Sequence, residues 1–281
     1  MMITANGAEL CVETFGQRAD PAILLLCGFG GSMDWWDEEL CEQLATAGRF
    51  VIRYDYRDTG QSTSYAVGKP GYTGLDLCDD AVGVLDALGI QAAHVVGISM
   101  GGGIAQRVII EHPERVTTLT LMSTSAITPS EVELPPPAAR IAGFAPEVDW
   151  QDRDAVIDYF VAAEKVYAGS IPVDEKRIRA IAGRVFDRTA DMAAGQTNHG
   201  ILEDGGEPVR RDGLARIGVP VLVIHGTEDP LFPLPHGEAL AAAIPRARLM
   251  VVDGLGHQMP PPEVWPVVVP ALAEISEQGA L

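Results

Sequence analysis

Short runs of wholly apolar residues recur along the chain, separated by stretches in which apolar residues return every three or four positions. The runs Ala22–Cys27 and Val219–Ile224 are six residues long, the length of strands buried on both faces of a parallel sheet. Further strands are expected at Ala8–Phe15, on the outside, and at Phe50–Asp55, Ala93–Ile98, Val116–Ser123, Val219–His225 and Arg248–Val252. Between them, Leu77, Ala81, Val84, Leu85 and Leu88 mark one face of a helix over Gly74–Leu88. Other helices are expected over Asp37–Ala47, from Ser99 to Glu111, over Glu238–Ile244 and over Pro261–Glu277. Strand and helix alternate in this way only in α/β proteins, with a mostly parallel sheet flanked by helices.

The alternation lapses between residues 126 and 217. That stretch holds Pro135-Pro136-Pro137, read as a stiff connector, and two helical periods at Asp154–Tyr167 and Asp174–Asp187. The expected organisation is therefore a core of residues 1–125 and 218–281 with a helical insertion at 126–217.

Charge narrows the partners. The 281 residues carry 20 basic and 39 acidic side chains, a net charge of −19 spread along the chain. Nucleic acid and anionic membrane surfaces both need a basic patch to displace counterions, so neither is an expected partner. The first ten residues hold no lysine or arginine, which argues against a secretory signal, and no apolar run approaches the ~20 residues of a membrane span. Cys11, Cys27, Cys41 and Cys78 form no C-x-x-C pair; they read as reduced thiols of a cytoplasmic protein, with no thiolate metal site.

The sharpest chemical signal is Gly97-Ile98-Ser99-Met100-Gly101, which follows a buried strand and opens a helix. A serine in that turn is lifted clear of the sheet, and glycines two residues either side leave room for the tight strand-to-helix packing. Serine needs a base and an orienting carboxylate to act as a nucleophile. Asp229 lies just past the strand Val219–His225, and His257 just past Arg248–Val252, so nucleophile, acid and base are expected to meet at one sheet edge. A tetrahedral oxyanion also needs two backbone donors. Met100, following the serine, supplies one N–H, and Phe29 in the loop Cys27-Gly28-Phe29-Gly30-Gly31 is expected to supply the second. Gly28 and Trp35, on and after that loop, are expected to border the substrate. No metal and no organic cofactor enters this chemistry.

Other polar residues have plainer readings. His94 enters a strand, His112 ends a helix before proline, His225 holds the acid loop and His236 starts a helix; His199 is a candidate to face substrate. Glu228 is expected to be solvated, and Asp253 to fix its own loop.

These residues resemble the α/β-hydrolase superfamily over nearly the whole chain. Tyr54-Asp55-Tyr56-Arg57-Asp58-Thr59-Gly60-Gln61-Ser62 is similar to the superfamily's D-x-R-G-x-G-x-S loop, with Asp58 in place of a glycine, and Cys27 stands where the oxyanion loop usually has histidine. The R-D-T-G variant, with His94-Val95-Val96-Gly97-Ile98-Ser99-Met100-Gly101, looks like the aclacinomycin methylesterase type of enzyme. By resemblance the fold is an α/β-hydrolase with a helical cap at 126–217, and the substrate a small-molecule methyl ester of an aromatic polyketide acid. Phe144, Trp150, Tyr159, Phe160, Tyr167 and Phe186 are then candidate pocket walls, of which about two are expected to touch substrate.

The scaffold alone does not fix the reaction, since it also carries cofactor-free haloperoxidases or perhydrolases and carbon-carbon hydrolases. A small-molecule receptor that keeps the three residues is a further alternative. Dehalogenase and epoxide hydrolase relatives use an aspartate nucleophile, and position 99 is serine.

Overall fold

The computed structural model describes residues 1–129 and 132–279. Eight strands form one sheet: β1 Met2–Ala5, β2 Ala8–Phe15, β3 Ala22–Leu26, β4 Phe50–Tyr54, β5 Ala93–Ile98, β6 Val116–Met122, β7 Val221–Gly226 and β8 Ala247–Val252. Their spatial order is β1-β2-β4-β3-β5-β6-β7-β8. β1 and β2 run antiparallel to their neighbours, and every pairing from β4 to β8 is parallel. The carboxyl ends of β3, β5, β7 and β8 therefore share one edge, and the four loops that leave there hold Gly28–Gly31, Ser99, Asp229 and His257.

Core helices are α1 Glu38–Thr46, α2 Gly74–Ala87, α3 Met100–Glu111, and, after the insertion, α8 Pro235–Ala243 and α9 Trp265–Glu277. The residue chemistry sets their ends. Thr73 and Asp76 exchange hydrogen bonds in a capping box at the start of α2, satisfying donors that the first turn leaves free. Between β6 and β7 lie α4 Ala139–Ala142, α5 Arg153–Tyr167, α6 Glu175–Arg188 and α7 Met192–Asn198. Asp152, Asp174 and Asp191 cap α5, α6 and α7 respectively.

Several elements differ from the sequence reading: α8 starts at Pro235 instead of Glu238, β7 at Val221 instead of Val219, and the short helix α4 was not expected. The last helix starts at Trp265 instead of Pro261, preceded by a 3-10 turn at Pro262–Val264. Pro260, Pro261 and Pro262 run in succession, and each proline pushes the residue before it out of the helical region. Strand β1 was absent from the pattern because Met2-Ile3-Thr4-Ala5 is too short to show a period. The Asn6-Gly7 pair behind it, both at positive φ, is a hairpin signal. Helix α7 is likewise too short, at seven residues, to declare itself by periodicity.

The core is continuous. Leu24 and Leu26 of β3, Val95 of β5, Leu119 of β6 and Val223 of β7 are fully buried, and Val156, Ile181 and Val185 of the insertion join the same cluster. Three ion pairs add to this contact: Arg188 at the end of α6 bonds Asp34 and Asp55, the latter at 2.7 Å, and Arg177 meets Asp37 at 2.8 Å. Burial pushes the Asp55 carboxyl up, and Arg188 offsets only part of that rise. All four cysteines are free and buried, and no helix among the described residues is long and apolar enough to cross a membrane.

Candidate active site

Ser99 connects β5 to α3 with φ 53° and ψ −118°, a left-handed conformation that costs a non-glycine residue about 1–3 kcal/mol. The surroundings enforce it. Ser99 N–H donates to Met122 O at 3.0 Å, and Ser99 O accepts from Gly102 N–H at 2.9 Å and from Thr124 Oγ1 at 2.9 Å. A Cβ on Gly97 would stand 2.1 Å from Gly101 O, and one on Gly101 would stand 2.3 Å from Cys27 O. Both glycines of the motif are thus required by backbone approaching backbone.

The loop after β8 brings His257 to this serine. Its Nε2 lies 2.9 Å from Ser99 Oγ, and its Nδ1 lies 2.9 Å from Asp229 Oδ2. The second Asp229 oxygen accepts from Leu231 N–H at 2.9 Å and Phe232 N–H at 2.8 Å. With those donors fixing one oxygen, the other is aimed at the imidazole. That places the proton on Nδ1 and leaves the Nε2 lone pair facing Ser99 Oγ, the tautomer a general base needs. The His257 backbone N–H donates to Tyr167 O at 2.8 Å, so the end of α5 anchors the loop.

His225 braces the acid from below. Its Nε2 donates to Phe232 O at 2.7 Å and lies 3.6 Å from Asp229 Oδ2, while burial depresses its pKa and keeps it neutral. Glu228 is exposed and accepts from Ser170 Oγ at 2.8 Å, and Asp253 accepts from Thr227 Oγ1 at 3.1 Å, tying the loop after β8 to the loop after β7. Neither carboxylate touches His257.

Across the serine, the loop after β3 presents Gly28, Phe29 and Gly30 to the same cavity. Among the described residues neither Phe29 N–H nor Met100 N–H has a hydrogen-bond partner. Gly30 N–H does not share that freedom, because it donates to His199 Nδ1 at 3.2 Å. Gln196 Nε2 holds Gly30 O at 3.2 Å, so α7 and its C-cap grip both ends of one residue. Burial pushes the Cys27 thiol up to about 12, which leaves it protonated and inert as a nucleophile.

His199 does not face substrate. It is buried, absent from the cavity wall, and its second nitrogen, Nε2, bonds Arg57 O at 2.9 Å. The other histidines are also structural. His94 sits between Thr118 Oγ1 at 2.6 Å and Thr120 Oγ1 at 3.1 Å, His112 meets Asp79 at 3.2 Å, and His236 links Ser125 Oγ and Pro135 O. The proline triplet is thereby tied beside the acid loop. Cys78, Asp79 and His112 lie close enough to share an ion, but they sit between α2 and α3, outside the cavity, and the Cys78 thiol is pushed up to about 12 by burial.

The cavity above Ser99 has a volume of about 380 Å³, within the range of small-molecule sites. Of the six aromatics singled out in the insertion, Tyr159, Phe160 and Tyr167 line it, one more than expected. Phe144 and Trp150 instead pack on Tyr159, at ring separations of 5.8 and 5.1 Å, and Phe186 is not in the wall. Trp35 lines the cavity and meets Phe160 edge-on at 5.2 Å. Glu164, Gln196, Leu231, Gln258 and Met259 also line it and were not singled out from sequence. Leu231, Gln258 and Met259 follow Asp229 and His257 within two residues, so adjacency to the acid and base was an available signal.

Comparison with known proteins accords with this architecture. Residues 21–155 match the family described as alpha/beta hydrolase fold, and residues 199–263 match the one described as TAP-like protein. Rhodomycin D methylesterase DauP from Streptomyces sp. (strain C5) is 34% identical over 92% of this chain and 92% of its own length. Rhodomycin D methylesterase DnrP from Streptomyces peucetius is 34% identical, again over 92% of each chain. A meta-cleavage product hydrolase from Pseudomonas fluorescens superimposes with a TM-score of 0.75 over 99% of this chain and 97% of that one at 20% identity, a likeness of fold. The chain belongs to the α/β-hydrolase family.

Proposed function

We propose that the protein is a carboxylic ester hydrolase that removes a methyl group from the ester of a bulky aromatic acid through an acyl-enzyme on Ser99. The observation that carries this is the unbroken series Asp229 Oδ2, His257 and Ser99 Oγ, with 2.9 Å at each contact, beneath a cavity walled by aromatic rings.

Ser99 Oγ attacks the ester carbonyl while His257 Nε2 takes its proton. Asp229 holds the imidazole in its reactive tautomer and stabilises the imidazolium. Negative charge gathers on the carbonyl oxygen, where the unengaged N–H groups of Phe29 and Met100 are its donors; one such donor is typically worth 10²–10³ in rate. His257 returns the proton to the leaving methoxide, methanol departs, and water repeats the sequence on the acyl-enzyme. The insertion at 126–217 is the cap, and Tyr159, Phe160 and Tyr167 with Trp35 and Gly28 are the walls for the acid. The two methylesterase relatives support the methyl ester, and the aromatic cavity supports a planar, rigid acid over a flexible lipid chain. No metal or organic cofactor is needed for these steps.

The test is methanol release from aromatic polyketide methyl esters beside a series of p-nitrophenyl esters of rising acyl length, with Ser99→Ala as control. Methanol from the aromatic esters and its loss in the control are expected. Faster kcat/KM on long acyl chains, with no methanol from any polyketide ester, would remove the substrate assignment.

A further inference from the structure

Among the described residues, Glu164, on α5, is the only carboxylate in the wall of the cavity that holds Ser99 and His257. Tyr159, Phe160 and Tyr167 share its helix, and the setting is apolar. Among the described residues no donor reaches its carboxylate. The nearby cations are already committed. Arg177 makes two hydrogen bonds to Asp37, at 2.8 and 3.0 Å, and lies 5.2 Å over the Trp265 ring, while Lys165 pairs with Glu175 at 2.7 Å.

Gln258 stands in the same wall. Its side chain is buried, and its Oε1 has no hydrogen-bond partner. Both Glu164 and Gln258 also border the small recess that adjoins the main cavity, so the two lie where the cavities meet. The Gln258 acceptor is costly to the protein, since a buried polar group loses its water and gains nothing in return, and the half-buried Glu164 carboxylate stands in the same wall without a donor. Burial already pushes the Glu164 carboxyl up to about 7. What the place lacks is a donor, and one with positive charge would repay both groups.

We propose that Glu164 and Gln258 form a subsite for a protonated amine carried on the acid part of the ester, so that the enzyme selects cationic esters. This rests on the methyl-ester reading, which leaves no room for the amine on the alcohol. Glu164 then supplies the counter-charge and Gln258 Oε1 a neutral acceptor.

The experiment uses a matched pair, methyl para-(aminomethyl)benzoate and methyl para-ethylbenzoate, at about pH 8, where the amine is protonated and Glu164 ionised. Calorimetric binding to Ser99→Ala needs no turnover, so its outcome is separate from the question of ester hydrolysis. A charge-assisted contact predicts that the amine ester binds Ser99→Ala about tenfold or more tightly than its isostere. That ratio should fall to near one in Ser99→Ala/Glu164→Gln. No preference for the amine in Ser99→Ala, no binding of either ester at its solubility limit, or a preference that survives Glu164→Gln would each overturn the proposal. Absence of methanol release from wild type, with the binding ratio intact, would remove the hydrolase reading and leave the amine subsite.

Discussion

Gly30 N–H donates to His199 Nδ1 across 3.2 Å, which joins the loop after β3 to the C-cap of α7, 169 positions away. The imidazole can accept there only because its other nitrogen, Nε2, carries the proton and donates it to Arg57 O at 2.9 Å. Burial lowers the His199 pKa and keeps the ring neutral. The position of Phe29 N–H therefore depends on how α7 is seated.

His199→Ala should lower kcat by about tenfold or more, a part of the 10²–10³ that a whole oxyanion donor carries. KM for a short p-nitrophenyl ester should move much less, because the donor matters most when charge has developed. Steady-state kinetics check this. Unchanged kcat alongside a lowered melting temperature would reduce His199 to a packing residue.

Asp58 explains how α7 is held in turn. Its φ of 66° lies in the left-handed region, where the glycine usual at this place in related sequences has no steric cost. The carboxylate compensates by accepting from Tyr72 Oη at 2.7 Å, Asn198 Nδ2 at 2.9 Å and Tyr65 N–H. Asn198 is the last residue of α7 and precedes His199. Asp58→Gly should relieve about 1 kcal/mol of backbone strain and forfeit three hydrogen bonds worth about 1 kcal/mol each. A net loss of about 2 kcal/mol in denaturant unfolding is the expectation; a gain in stability would show that the carboxylate contributes nothing.

The sequence was informative where one residue type has one physical reason to be present. Six-residue apolar runs have to be buried on both faces, and Ala93–Ile98 formed a strand with the bounds expected of it. The Gly97 and Gly101 spacing, and the loops after two later strands, brought Ser99, Asp229 and His257 to one edge because parallel strands end together. His199 was illegible for the opposite reason. Its partners are a backbone N–H and a backbone carbonyl from loops far along the chain, and backbone groups leave no mark in a sequence. Glu164 looked like any acid on an amphipathic helix, since only the tertiary fold decides which helix face meets a cavity.

His94 carries a pH dependence of stability. Burial between Thr118 and Thr120 pulls its pKa down to about 3, against ~6.5 for an unfolded histidine. Below ~6.5 the unfolded chain binds a proton that the folded protein excludes. Its contribution is thus whole above that pH and is lost as pH falls, by about 1.4 kcal/mol per pH unit. His94→Gln has no such proton to exclude. The stability gap between wild type and variant should narrow by about that slope between roughly pH 6 and pH 4, as followed by urea unfolding. A gap that stays constant with pH would mean that His94 is charged in the folded state.

Gly101 and Gly103 occupy the same helix two residues apart and should respond oppositely to one methyl group. A Cβ on Gly101 would meet Cys27 O at 2.3 Å and Leu26 O at 2.5 Å, and backbone atoms of a central strand cannot withdraw. The helix would have to move off β3, taking Met100 N–H away from Phe29 N–H. Gly101→Ala should therefore lose both stability and most ester hydrolysis. On Gly103 the nearest atom within reach is Ile127 Cγ2 at 3.6 Å, an ordinary contact. The position is helical, so Gly103→Ala removes backbone freedom from the unfolded chain and should stabilise by up to about 1 kcal/mol. Thermal melts and ester kinetics on the two variants separate the cases. Equal stability of the two would mean that α3 can slide on the sheet, and Gly101 would then owe its place to something other than the approach of the strand.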